Sequence, residues 1–281
     1  MTRKRIAMVA LVAALIGIGW WCTSDGKSRL QRDVEAIGGK WVVHQANPFR
    51  PTWRDHMKLI TRNRPIPQSP KSKAVKVSLN LSSSDVTDDW LADHAPSIKS
   101  AEILTIQLEK TSVTDRGIDS VAQIPSIVSL ALSETQITDG SADAIAAIPG
   151  LYSIDLRQTG ISARGLAQII GNPRLDAIAF EARHLTTEVI DALNTNVQVS
   201  LIKVEITSLG DLRNLSDLKN VQYLYLSGMS DELLPALSEF GHFQMVILND
   251  SEVSEEAVEA IRPSLPSMQI EVRPEIHHSE I

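Results

Sequence analysis

The sequence predicts an α/β solenoid, a stack of strand–helix units with a parallel β-sheet on the concave face and short helices on the convex face. Three observations lead there. An apolar–x–apolar pattern recurs about every 24 residues through most of the 281-residue chain. Each clear copy runs into a Thr/Ser-Asp pair of the kind that opens a helix. The hydrophobic content is 43% but only 4% of residues are aromatic, so the core is aliphatic, as stacked layers of medium-sized side chains require.

Taken in chain order, the first element is an address. Arg3, Lys4 and Arg5 precede an uncharged apolar run of 17 residues, Ile6 to Cys22. A basic start followed by an apolar stretch is the layout of a signal peptide or signal anchor. As a helix the run reaches about 25 Å at ~1.5 Å per residue, the short edge for a ~30 Å hydrocarbon core. Trp20 and Trp21 at its far end favour retention, because indole rings prefer the interface. No clean A-x-A cleavage site follows, although Cys22 to Ser24 offers small residues. Trp21 is too bulky to precede a lipidated Cys22. The positive-inside rule places the N-terminus in the cytoplasm and residues 23–281 outside, membrane-bound through the anchor or released by cleavage.

Residues 23–73 read as a tether, a capping segment and a linker. Leu30, Val34 and Ile37 share one helical face, and Gly38-Gly39 turns the chain into a short strand at Trp41-Val42-Val43. Thr52 can cap a second helix carrying Trp53, Met57 and Ile60. Trp41 and Trp53 are expected to cover the open end of the first coil. Residues 63–73, with three prolines, form a linker or extended loop.

Residues 74–272 hold the repeats. The clearest copies start at Ile103 (ILTIQLEKTSVTD), Ile127 (IVSLALSETQITD) and Leu151 (LYSIDLRQTGISA), with weaker ones at Leu175, Asn196, Val221 and Phe243. The first residue of the central apolar pair falls at Leu79, Ile106, Leu130, Ile154, Ile178, Val199, Leu224, Val246 and Ile270, in steps of 27, 24, 24, 24, 21, 25, 22 and 24. This period lies inside the range of about 20–29 residues for leucine-rich repeats. In the copy at Ile127, Leu130 and Leu132 alternate with Ser129, Ala131 and Ser133, a short strand with one buried face. Thr135 stands where a leucine-rich repeat usually has Asn, and its hydroxyl can bond the loop backbone. Ile137 turns back into the core, Thr138 can cap a helix, and Asp139 suits its positive end. Ala142, Ile145, Ala146 and Ile148 follow at helical spacing until Pro149 stops the helix. A last strand is expected at Met268 to Val272, and residues 273–281 form a flexible tail.

On these T-x-[IV]-T-D units, and on the leader Val34-Glu35-Ala36-Ile37-Gly38-Gly39-Lys40-Trp41-Val42-Val43, the chain resembles bacterial membrane-anchored leucine-rich-repeat proteins over roughly residues 28–272. The resemblance implies the fold. It implies little about function, because that family is defined mainly by its repeats. Ser162-Ala163, Thr186-Thr187 and Thr207-Ser208 lack the Asp, and the unit at Val221 is about two residues short.

No chemistry is legible. Cys22 is the single cysteine, so no intrachain disulfide or Cys-rich metal site forms. The histidines make no H-E-x-x-H spacing, Gly38-Gly39 belongs to no phosphate loop, and no G-x-S-x-G elbow occurs. His277-His278 lies in the tail and reads as a solvated terminus. The repeated Thr-Asp pairs fit helix capping, since one active site does not need seven copies. Without its first 22 residues the chain has 24 basic and 34 acidic residues, a net charge of −10, which argues against nucleic acid as partner. The expectation is a non-catalytic protein-binding or scaffold module without cofactor or metal. The alternative is a structural envelope protein without a specific ligand, and an enzyme would have to draw its chemistry from residues 30–73. Counting along each strand puts Ser78, Asn80, Thr105, Gln107, Glu109, Ser129 and Ser133 on the open face of the early repeats. In the late repeats Ile202, Tyr223, Tyr225, Met245 and Ile247 take those places. An apolar patch with tyrosines on an open sheet is the candidate partner-binding site. A shift of strand register in the irregular repeats, or a C-terminal segment folded over the patch, would bury these residues instead.

Overall fold

The computed structural model describes residues 28–44, 76–249, 251–265 and 267–273. The N-terminal apolar run, the expected helix at Trp53 and the proline-rich segment lie outside them. Ten strands form one sheet in sequence order, β1 (Lys40–His44), β2 (Lys76–Asn80), β3 (Thr105–Gln107), β4 (Ser129–Ala131), β5 (Ser153–Asp155), β6 (Ala177–Glu181), β7 (Leu201–Glu205), β8 (Tyr223–Ser227), β9 (Met245–Asn249) and β10 (Gln269–Arg273). β1 pairs antiparallel with β2, and every later pair is parallel. Each β-to-β connection after β2 carries short α or 3-10 turns, so the chain winds as an α/β leucine-rich-repeat solenoid.

The core is the inner face of this sheet packed on the helices. Leu79, Ile106, Leu130, Ile154, Ile178, Ile202, Leu224 and Val246 stand in one register row, and each is at most 2% exposed. Leu132, Ile137, Ile145, Leu156 and Ile161 are buried as their spacing predicts. At the N-terminal end the helix α1 (Arg29–Ala36), capped by Ser28, buries Leu30 and Val34, and Trp41 packs half-buried on the same core.

The Thr-Asp pairs have a second duty beyond capping. Thr87, Thr114, Thr138 and Ser162 each cap a helical turn with the side-chain oxygen. The Asp that follows the cap reaches to the next coil. Asp88 accepts from the Thr114 N–H at 2.9 Å and its hydroxyl at 2.5 Å. Asp115 accepts likewise from Thr138, and Asp139 from Ser162. A ladder of carboxylates thus links four successive caps. Glycines three residues after a cap make room for it, since a Cβ at Gly117 would touch the Asp88 carboxylate and one at Gly165 that of Asp139. The ladder lapses where Ala163 and Thr187 replace Asp, and Asp231 resumes it onto Ser254. In the gap, Asn196 donates side-chain N–H groups to the Ile170 and Asn172 carbonyls of the preceding coil at 2.6 and 2.9 Å, and Asn220 donates to the Asn194 carbonyl; Asn172 makes the same clasp one coil earlier, beside the Asp139 link. The coils lacking one clasp are held by the other.

Thr111, Thr135 and Thr159 donate to the carbonyl three residues back at 2.6–2.7 Å, the backbone bond expected of a threonine in the usual Asn place. The residue before each is left-handed, with φ of 56° at Lys110, 57° at Glu134 and 54° at Gln158.

Candidate functional site

Side chains on the open, concave face fall into three rows set by strand register. The first row runs Ser78, Thr105, Ser129, Ser153, Ala177, Leu201, Tyr223, Met245. The second runs Asn80, Gln107, Ala131, Asp155, Ala179, Lys203, Tyr225, Ile247 along the same strands. A third row begins where the short strands end and holds Glu181, Glu205, Ser227 and Asn249. The face therefore changes character along the stack: small and polar at β2–β5, apolar and aromatic at β7–β9.

Four of the five residues expected in the patch lie on this face. Ile202 does not: it is 0% exposed in the main core. The expectation took Val199 as the strand residue equivalent to Ile178, whereas Ile202 pairs with Ile178. Val199 instead matches Leu175, Leu151 and Ile127 at the start of the unit. The true steps around it are 24 from Ile178 and 22 to Leu224. A slip of three residues is odd, so it exchanged the two faces of β7. It also hid Leu201, which joins Ala177 and Tyr223 in a separate apolar cluster with Tyr225 and Met245 packed against it. Aligning Val199 with Leu175 and Val221 would have revealed Leu201.

The patch is less open than counting alone suggests. Tyr223 is 4% and Ile247 1% exposed, whereas Tyr225 and Met245 are half-buried. The Tyr223 hydroxyl donates to Gln244 Oε1 at 3.0 Å, so its polar tip is anchored at the rim. Burial pushes the Tyr225 phenol above its ordinary pKa, opposed by the Arg273 guanidinium 5.8 Å from the ring centroid. Tyr225 and Met245 are the residues a partner can reach.

Charge borders the strip. Asp155 and Arg157 form a two-pronged pair, Nε to Oδ1 at 3.0 Å and Nη2 to Oδ2 at 2.6 Å. Burial works to lower the Arg157 pKa, and Asp155, with Glu109 and Glu205, more than reverses it. Arg183 holds Glu181 at 2.6 Å. Among the described residues no group of three or more His, Cys, Asp or Glu is placed to hold a metal ion, and no helix is long and apolar enough to cross a membrane.

Behind the rim, His184 is 6% exposed and its Nδ1 has no hydrogen-bond partner. Burial, then the Arg183 charge, pushes its pKa below 6.5, against Glu181 and the Ile161 and Glu181 backbone groups. The unfolded chain therefore binds a proton that the folded one refuses between the folded pKa and 6.5. His184 costs the fold nothing above that window, and stability falls as pH drops through it. Denaturant midpoints measured from pH 8 to pH 5 should decline in the acid half, and His184→Gln should flatten the decline. An equally steep decline in that variant would assign the effect elsewhere, as to His242, which burial also pushes down.

No protein-family model and no curated protein matches the sequence. Solved structures with a similar coil include an internalin C2 of Listeria monocytogenes, at 17% identity and TM-score 0.39 over 69% of this chain and 80% of that one. A second internalin of the same organism matches at 15% and 0.34, over 65% and 52%. A leucine-rich-repeat-containing protein of Legionella pneumophila matches at 16% and 0.45, over 77% and 92%. The fold rests on the strand register described above.

Proposed function

We propose that the chain is a non-catalytic protein-binding scaffold, displayed outside the cytoplasmic membrane by its N-terminal segment. The observation that carries the binding role is the change along the concave face. A rigid sheet that is small and polar over its first coils gathers Leu201, Tyr223, Tyr225, Met245 and Ile247 on three adjacent strands. Tyr supplies contact area at low entropic cost, and a solenoid's concave sheet is a broad preformed surface. Display rests on Arg3, Lys4 and Arg5 preceding the apolar run Ile6 to Cys22.

The test is a photo-crosslinking residue placed at Tyr225 in the full chain, in cells, with Glu188 on the convex side as control. Position 225 should give one saturable crosslinked protein species in the membrane fraction, and position 188 none. Tyr225→Ser should weaken that capture while leaving the melt nearly unchanged, because the ring is only half-buried. Identical diffuse adducts from both positions would overturn the binding site, and a species confined to the soluble fraction would overturn display.

A further inference from the structure

The two ends of the solenoid differ. At the N-terminal end, α1 and the antiparallel β1 lie over the first coil. At the other end, among the described residues, nothing pairs with the outer edge of β10. Val272 stands in register with the fully buried Leu248 but is 39% exposed, and Ile270, beside the fully buried Val246, is half-exposed. The helix α2 (Glu255–Ile261) adds half-buried Ala257 and Ile261 to the same end. The outer face of a terminal repeat is ordinarily polar, and this coil, the last among the described residues, presents core residues there.

The backbone is equally unfinished. Gln269 donates its N–H to the Gln244 carbonyl at 3.0 Å. Backbone groups alternate sides along a strand, so Ile270 and Val272 turn theirs outward. Such an edge is a template for another strand, and β10 has no Lys or Pro within it to prevent pairing. Reversed about Val272, the strand sets Glu271 opposite Arg273.

We propose that this end of the solenoid is a homodimer interface in which β10 pairs antiparallel with β10 of a second copy, about a two-fold axis at Val272. The two valines exchange N–H···O=C bonds, and Glu271 faces the second copy's Arg273 on the concave side. Within one chain these residues already pair, Arg273 Nε to Glu271 Oε1 at 2.8 Å, so the dimer exchanges one ion pair inside each copy for one per copy across the interface, and the charges set register without adding pairs. An axis one residue earlier would set Glu271 against its own copy, which like charge disfavours. The same rotation brings the two α2 ends together and continues sheet and core through the junction. The interface is isologous and closes at two copies, leaving the concave faces of both open.

The experiment uses the purified full chain with Cys22→Ser and Val272→Cys. Directly opposed residues of a hydrogen-bonded antiparallel pair lie about 5.5 Å apart at Cα, inside the ~4.4–6.8 Å span of a disulfide. Mild oxidation should give a covalent dimer at position 272 and none with Asn249→Cys, one strand inward. By sedimentation the parent chain should be a dimer, and Val272→Lys should weaken it at least about tenfold. Glu271→Arg and Arg273→Glu should each weaken it, and the two together should restore it. A monomeric parent with no crosslink overturns the proposal, as when the following segment covers the edge. A dimer indifferent to Val272→Lys overturns it too. If Val272→Lys fails to fold, the crosslink and the charge exchange decide. Val272 lies on the face of β10 away from Tyr225, so loss of the dimer in Val272→Lys leaves crosslinking from position 225 untouched, and with that variant this result and the concave-face reading stand or fall separately.

Discussion

Truncating Leu132 to alanine is expected to lower stability by about 2–5 kcal/mol, the range for a buried leucine whose site only partly collapses. Leu132 is fully buried just beyond β4, and its N–H donates to the Asp155 carbonyl at 2.9 Å, so it stands where one coil hands over to the next. In a repeat protein stability is close to a sum of coil and nearest-neighbour terms. A cavity here weakens the interfaces with both adjacent coils. Ser129→Ala, on the open face two residues before Ala131, should change stability by no more than about 0.5 kcal/mol. A denaturant melt of the two variants checks the register directly. A larger loss for Ser129→Ala than for Leu132→Ala would mean that the two faces of β4 have been exchanged.

A comparable loss is expected for Gly228→Ala, through the backbone. Gly228 has φ of 72°, and a Cβ built on it would collide with the Ile206 carbonyl oxygen. Left-handed backbone costs an L-residue about 1–2 kcal/mol, and relieving a clash with main chain adds an overpacking cost of about 1–3 kcal/mol. Gly228 holds the place that Lys110, Glu134 and Gln158 hold in earlier coils, all with left-handed φ but with side chains. Gln158→Gly should therefore cost nothing or gain up to about 1 kcal/mol. Opposite signs at equivalent positions are the expected melt result. A loss at both would mean that the loop, not φ, dominates.

Much of the fold was legible because each coil repeats one set of physical demands. The alternation around Leu130 and Leu132 identified β4, and the same spacing identified the buried row from Leu79 to Ile178. Thr138 and Asp139 announced a helix start. What they did not announce is that Asp139 would leave its own helix to hold Ser162. A carboxylate at a helix start looks the same in sequence whether it serves the dipole or a neighbour. The glycine three residues after the cap carried the missing signal, because Gly165 has no turn to make and is small for the sake of Asp139.

The candidate patch was legible in part, and the failure has a definite cause. β7 lies between units of unequal length, and both Val199 and Ile202 offer an apolar residue with another two positions on, Leu201 or Val204. Local pattern cannot choose between them, because a strand buried on one face and apolar on the other loses its alternation. Pairing chooses: Ile202 must stand beside Ile178 and Leu224 in a continuous core row.

By itself the sequence determined the period, the strand–helix alternation, the buried aliphatic row and the basic-then-apolar N-terminus, all properties of spacing within one coil. Tertiary structure alone decided the face of β7, the clasp from each Asp to the next cap, the half-burial of Tyr225 and an outer edge of β10 that no described residue pairs. These depend on which residues of separate coils lie side by side at ~4.8 Å, and a chain whose units differ by two residues does not state that distance in its order.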